Sequence, residues 1–238
     1  MKLLTLIFQI IFFHGLCLGL PVPLQASEGD YVVVLHGIAR SSSSMEKLSK
    51  FVEEQGYKVL NVDYPSTEHS LEKLVEKIQQ RVTQFNRDEN RKVHFVTHSM
   101  GGILVRGLLN RYRPPNLGRV VMLAPPNLGS EATDFWKDNW LYKKIYGPAG
   151  QQLTTDQSRL KKFFGEVKYE LGIIAGDRTL DPFHSYIIPG PDDGKVGISN
   201  TMLAGMNDHI IIHATHTFIM NNSEARKHVV SFLLNGKF

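Results

Sequence analysis

The chain predicts a three-layer α/β domain, a mostly parallel central sheet with helices packed on both of its faces. Three observations predict it. Short β-branched apolar runs recur along the 238 residues, and stretches with apolar positions every three to four residues separate them. No internal repeat or low-complexity linker divides the chain. A composition of 42% hydrophobic and 21% charged residues suits one sizeable core and excludes disorder, collagen and coiled coil.

The elements follow in order. Residues 31–35 (YVVVL) form a continuous apolar run, as a strand buried on both faces requires. Residues 45–55 place Met45, Leu48, Phe51 and Val52 at helical spacing, with Ser43 or Ser44 as cap and Gly56 as terminator. A second strand follows at 58–63. A second helix at 71–85 lines up Leu71, Leu74, Val75, Ile78, Val82 and Phe85 on one face. Residues 93–97 read as a third strand and 102–112 as a helix stopped by Pro114 and Pro115. The fourth strand is 120–123. From 125 to about 165 there is no clean strand, but Phe135, Trp136, Trp140, Leu141, Tyr142 and Tyr146 stand among charges, an excursion of short helices above the sheet. Strands resume at 171–175 and 209–213, and an amphipathic helix at 224–234 closes the fold.

Ahead of these elements, MKLLTLIFQIIFFHGLCLGL carries one Lys and then an almost charge-free apolar run, followed by small Ala26 before Ser27. Residues 1–26 therefore read as an export signal peptide, cleaved rather than retained as an anchor, because no positively charged stop follows. The domain proper is then 27–238, periplasmic or extracellular. Its only cysteine, Cys17, lies in the leader, which leaves no thiol for disulfides, nucleophilic catalysis or zinc. A net charge of +4 permits peripheral contact with an anionic membrane. Nucleic acid is excluded as a partner, since no basic cluster is denser than the pairs Lys143-Lys144 and Lys161-Lys162.

The chemistry is carried by strand VHFVT running into His98-Ser99-Met100-Gly101-Gly102 and then into a helix. A strand, a tight turn and a helix put a serine at a strained apex with its Oγ above the sheet, the layout of a nucleophile elbow. Gly101 fits that pattern. Thr97 stands where the pattern has glycine, and on the pentapeptide alone Ser99 reads equally as nucleophile or as helix cap. The turn Leu35-His36-Gly37-Ile38 at the end of the first strand offers backbone N–H groups, so Ile38 and Met100 are the oxyanion-hole candidates. His36 reads as structural. An acid and then a base should follow the serine. Asp177, Asp181, Asp192 and Asp193 are open for the acid. For the base, His216 lies in the loop beyond a late strand, whereas His209 and His213 sit at strand ends.

At LHGI (35–38), THSMGG (97–102), PDDGKV (191–196) and THTF (215–218), in that order, the chain resembles the α/β-hydrolase family, and within it the secreted lipase and esterase branch. The resemblance spans nearly the whole chain after the leader. It implies Ser99 as nucleophile, His216 as general base and acid, Asp193 as orienting carboxylate, and the N–H groups of Ile38 and Met100 as oxyanion hole. Asp193 is singled out because the resembling lipases place the acid just before the glycine of an Asp-Gly-x-Val segment. Calcium-dependent bacterial lipases carry an aspartate two residues after the histidine; Phe218 stands there, so calcium is not implied and no metal or cofactor is expected.

The expected function is a serine carboxylic-ester hydrolase acting through an acyl-enzyme on a lipid or other apolar ester. An acyltransferase or amidase would use the same residues, and a non-catalytic lipid-binding protein would keep only the scaffold. The excursion at about 130–165 occupies the place of a lid, with Phe135, Trp136, Trp140 and Leu141 as candidate acyl-binding residues. Nothing in the sequence indicates an oligomeric state.

Overall fold

In strand β1, Tyr31–Leu35, every side chain is buried, and they alternate between two cores: Tyr31, Val33 and Leu35 face one, Val32 and Val34 the other. That is why the run carries no polar residue, since a strand sandwiched between helix layers has no solvent face. The computed structural model describes residues 29–238; the expected leader at 1–26 lies outside the described residues.

Helix α1, Glu46–Glu53, follows a short 3-10 turn at Ser42–Met45. Ser43 and Ser44 lie inside that turn and do not cap the helix; the Ser44 hydroxyl donates to the Ser41 carbonyl instead. Then come β2 (Lys58–Val62), α2 (Leu71–Phe85), β3 (Val93–His98), α3 (Met100–Arg111) and β4 (Leu117–Leu123). The excursion resolves into α4 (Glu131–Trp136), α5 (Trp140–Gly150) and α6 (Lys161–Phe164). Strand β5 is Leu171–Gly176. Two short helices come next, α7 (Pro182–Ile187) and α8 (Ile198–Thr201), in a stretch to which the sequence assigns no element. Strand β6 (Asp208–Ile212) and α9 (Ser223–Asn235) complete the order.

The six strands form one parallel sheet in the order β2-β1-β3-β4-β5-β6. Helices α2, α3 and α6 share one core with the first face of the sheet, and α1 and α9 share the other. A parallel sheet sends all its strand C-termini to one edge, so the loops after β1, β3, β5 and β6 converge there. Helix α3 leaves β3 at close range. A Cβ on Gly101 would stand 2.7 Å from the Leu35 carbonyl oxygen and 2.9 Å from that of His36, so only glycine lets this helix pass β1.

Candidate active site

Ser99 sits between β3 and α3 at φ 52°, ψ −123°, a conformation in which non-glycine residues are rare. Its N–H donates to the Leu123 carbonyl (2.8 Å) and its carbonyl accepts from Gly102 N–H (2.9 Å), so both sides of the turn hold the strained residue in place. Thr97, where the motif has glycine, is fully buried with its hydroxyl turned toward β4, 3.5 Å from the Val121 carbonyl; the extra atoms point away from the turn.

The structure brings Ser99, His216 and Asp193 into one chain of contacts. Ser99 Oγ lies 2.9 Å from His216 Nε2, and His216 Nδ1 lies 2.8 Å from Asp193 Oδ2. A carboxylate only accepts, so Nδ1 carries the ring proton and Nε2 is left to accept from the serine hydroxyl. The other Asp193 oxygen, Oδ1, accepts from the backbone N–H groups of Lys195 (3.0 Å) and Val196 (2.9 Å), and the Asp193 carbonyl accepts from His216 N–H (2.9 Å). The acid and the imidazole are thus tied by main chain as well as side chain.

The remaining candidates lie elsewhere. Asp177 pairs with the exposed His213 (2.9 Å). Asp192 accepts from Ser185 Oγ and Gly194 N–H, both at 2.7 Å, and holds its own loop. His209 contacts Thr201 Oγ1. His36 donates from Nδ1 to the Gly37 carbonyl (2.8 Å), stacks on Tyr64 at 3.9 Å, and its carbonyl accepts from the Tyr64 hydroxyl, all beneath the site. Ile38 and Met100 flank Ser99, and among the described residues no backbone carbonyl accepts from either N–H. A Cβ on Gly37 would stand 2.9 Å from His98 Nδ1 and 3.2 Å from Ser99 Cβ, so the Gly37-Ile38 turn lies directly against the serine.

Two features escaped the sequence reading. His98, fully buried beside Ser99, donates from Nε2 to the His216 carbonyl (2.9 Å) and packs its ring 5.0 Å from that of His216. Burial, reinforced by the neighbouring His216, holds His98 well below the ordinary imidazole range, so it stays neutral beside the site. The second is a polar latch at the pocket rim. Trp136 Nε1–H donates to His184 Nε2 (2.9 Å), and His184 Nδ1 faces both Asp181 Oδ2 (2.5 Å) and Lys195 Nζ (2.8 Å). Lys195 Nζ lies 3.1 Å from the same carboxylate. Burial lowers the His184 pKa, and the adjacent Lys195 adds to it. No signal in the sequence links Trp136 to His184; the contact is made only by the packing of α4 on α7.

Ser99 and His216 open into a cavity of about 700 Å³ between α4, α5, the Ile38 turn and the loop that carries Lys195. Its apolar wall is made by Ile38, Leu141, Tyr142, Ile145, Tyr146 and Leu153. Of the four expected acyl-binding residues, Trp136 and Leu141 line the cavity, while Phe135 and Trp140 stand outside it, exposed. Both lie on helix faces turned to solvent, an orientation the irregular aromatic spacing does not reveal. Among the described residues, no group of three or more His, Cys, Asp or Glu side chains is placed to hold a metal ion, and no helix is long and apolar enough to cross a membrane.

Over residues 31–167 the chain matches the family described as palmitoyl protein thioesterase. It is 30% identical over 222 residues to the lysosomal thioesterase PPT2 of Mus musculus, covering 79% of this chain and 72% of that protein. To PPT2 of Homo sapiens it is 28% identical over 215 residues, covering 78% and 70%. Among solved structures, the mature lipase BlEst2 of Bacillus licheniformis superposes with a TM-score of 0.73 at 20% identity, covering 92% of this chain and 97% of that one. The metagenomic carboxyl esterase MGS0156 gives 0.70 at 20% identity, covering 85% and 69%. These structural likenesses establish the α/β-hydrolase fold.

Proposed function

Since the chain belongs to the palmitoyl protein thioesterase family, and so to the hydrolases that cleave ester bonds, we propose that it hydrolyses long-chain acyl thioesters and related lipid esters through an acyl-enzyme on Ser99. The observation that carries this reading is the unbroken run from Asp193 through His216 to Ser99, at 2.8 and 2.9 Å, ending in an apolar cavity.

In this mechanism the fatty chain lies along the wall formed by Leu141, Tyr142 and Ile145, and the acyl carbonyl carbon stands over Ser99 Oγ. As the Oγ–C bond forms, His216 Nε2 takes the hydroxyl proton, and Asp193 stabilises the imidazolium and keeps the ring in register. The oxyanion is met by the N–H groups of Ile38 and Met100. Collapse breaks the bond to the leaving group, which departs with the proton from Nε2. Water then gives up a proton to the same nitrogen as it attacks the acyl carbon; the Oγ–C bond breaks, Nε2 returns the proton to Ser99 Oγ, and the fatty acid leaves. A thiol leaving group, with a pKa of about 8.5, asks less of the imidazolium than an alcohol does. His98, kept neutral by burial, holds the His216 main chain without adding charge beside the imidazolium.

We read residues 1–26 as an export leader, 27–238 as the hydrolase domain and about 130–165 as its lid. The deciding measurement is labelling with a fluorophosphonate, read by mass spectrometry, alongside release of thiol from a palmitoyl thioester. The label is expected on Ser99, and Ser99→Ala is expected to lower turnover about 10³-fold or more with the fold intact. Label on another serine, or full turnover by Ser99→Ala, refutes the reading.

A further inference from the structure

Most of the large apolar side chains that this protein exposes do not lie at random over its surface. Phe135, Trp140, Leu180, Phe183 and Tyr186 come from α4, α5 and the α7 segment, the elements around the mouth of the Ser99 cavity. Trp140 is 71% exposed, Leu180 66% and Tyr186 91%, and none of the three lines the cavity. Phe135 and Phe183 rest on each other, rings 5.5 Å apart, and still expose about half their surface. Leu141 and Ile145 do line the cavity and are each 47% exposed, so apolar side chains stand both at the rim and along the cavity wall.

The charges on the same face have one sign on α5. That helix carries Lys143 and Lys144 and no acid, and Lys144 lies one turn from Trp140. Lys137 precedes it, exposed, and Asp138 lies 3.9 Å from Lys143. Trp and Tyr rings beside lysines are the chemistry of a membrane–water interface, where the ring sits at headgroup depth and the ammonium reaches the phosphates. A dry contact with another protein selects against lysine within an apolar patch, which makes a second protein or a second copy the poorer fit.

We infer that the rim of the Ser99 cavity is a docking surface for an anionic lipid membrane, with Trp140, Leu180 and Tyr186 entering its interfacial layer and Lys143 and Lys144 meeting its headgroups. Among the described residues no helix is long and apolar enough to cross a membrane, and the inferred contact is between the cavity rim and the bilayer surface. Docking in this orientation sets the cavity mouth against the lipid phase, and an acyl chain passes from membrane to cavity without crossing water. That last consequence rests on the function proposed above; the docking itself does not, because binding is measurable without turnover.

The test uses the Ser99→Ala protein and vesicles of phosphatidylcholine with and without phosphatidylserine. The chain's two tryptophans are Trp136 and Trp140, so its tryptophan emission reports this face alone. Emission is expected to shift to the blue and to be quenched by brominated acyl chains, more strongly on the anionic vesicles. The triple substitution Trp140→Ser, Leu180→Ser, Tyr186→Ser is expected to lower the vesicle-bound fraction about tenfold or more while turnover of a short, water-soluble thioester by the same variant with Ser99 retained stays unchanged. Lys143→Glu with Lys144→Glu, which leaves Trp140, Leu180 and Tyr186 in place, is expected to abolish the preference for the anionic vesicles. Protein that stays in the supernatant with both vesicle types overturns the proposal. So does a concentration-dependent dimer dispersed by the triple substitution, which would make a second copy the occupant. Vesicle binding by a protein with Ser99 intact that cleaves no thioester would uphold the docking surface and sink the catalytic reading.

Discussion

Asp193 and Asp177 differ in what they can do for an imidazole. Asp193 presents Oδ2 to His216 while its other oxygen is held by two backbone N–H groups, whereas Asp177 faces solvent beside His213 on a different loop. Asp193→Asn would leave the loop's shape largely intact but offer an amide where an acceptor is needed, which favours the wrong tautomer of His216. Turnover is expected to fall by roughly 10² or more, while Asp177→Asn, Asp181→Asn and Asp192→Asn each stay within about tenfold of the parent. Steady-state kinetics on a soluble thioester with all four variants decides it; loss confined to Asp177→Asn would move the acid to that residue. Asp192→Asn has a different expected cost, since its Oδ1 accepts from both Ser185 and Gly194. It is expected to lose about 1 kcal/mol of stability in a denaturant melt and little activity. The motifs that carry Ile38, Ser99 and His216 were legible because each follows the end of a strand; Asp193 lies beyond α7, well past β5, and only the family resemblance separated it from Asp177, Asp181 and Asp192. His98 and the Trp136–His184–Lys195 latch were not legible, because their contacts join residues far apart in the chain and carry no local pattern.

At the scale of elements, strands were the easiest to read. A strand buried on both faces favours an apolar run, and β1 and β5 are such runs, whereas β3 (VHFVTH) is buried throughout with His94, Thr97 and His98 in it. Helix α7 was missed because its six residues make fewer than two turns and set no period; Pro182 at its first position and Asp181, whose side chain accepts from His184 N–H, start it locally. The same scale separates two tryptophans that the sequence treated alike. Trp136, on α4, lines the cavity and is pinned to His184; Trp140, at the start of α5, faces solvent. Trp136→Ala is therefore expected to depress turnover of palmitoyl substrates far more than of acetyl substrates, at about 0.8 kcal/mol for each methylene that loses its contact. Trp140→Ala is expected to leave that ratio unchanged with dissolved substrate. A chain-length series on both variants checks the pair, and equal losses on every chain length for Trp136→Ala would reduce it to packing.

For the whole molecule, the distribution of buried histidines sets how stability responds to acid. His36, His94 and His98 are all buried, and burial is the largest cause that lowers the pKa of each. His94 is pushed down to about 4; its Nδ1 accepts from Arg119 N–H at 2.9 Å, Asp30 opposes the shift, and the Arg119 charge adds to it. In the unfolded chain these imidazoles titrate near 6.5. Their stabilising contribution is therefore complete above that value. As the pH falls below it, the unfolded chain takes up protons that the native state refuses, and stability drops by up to about 1.4 kcal/mol per pH unit for each histidine until the native group itself is protonated. The melting temperature is expected to fall steadily from neutral pH to about 4 and to be nearly independent of these groups above neutrality. His94→Asn, which keeps an acceptor for Arg119 N–H but does not titrate, is expected to be less stable than the parent at neutral pH and to show a shallower acid slope. Calorimetry across that range on both proteins tests this. A parent melting temperature that rises on acidification would show that these imidazoles gain, rather than refuse, protons in the folded state, and the burial account of their neutrality would fail.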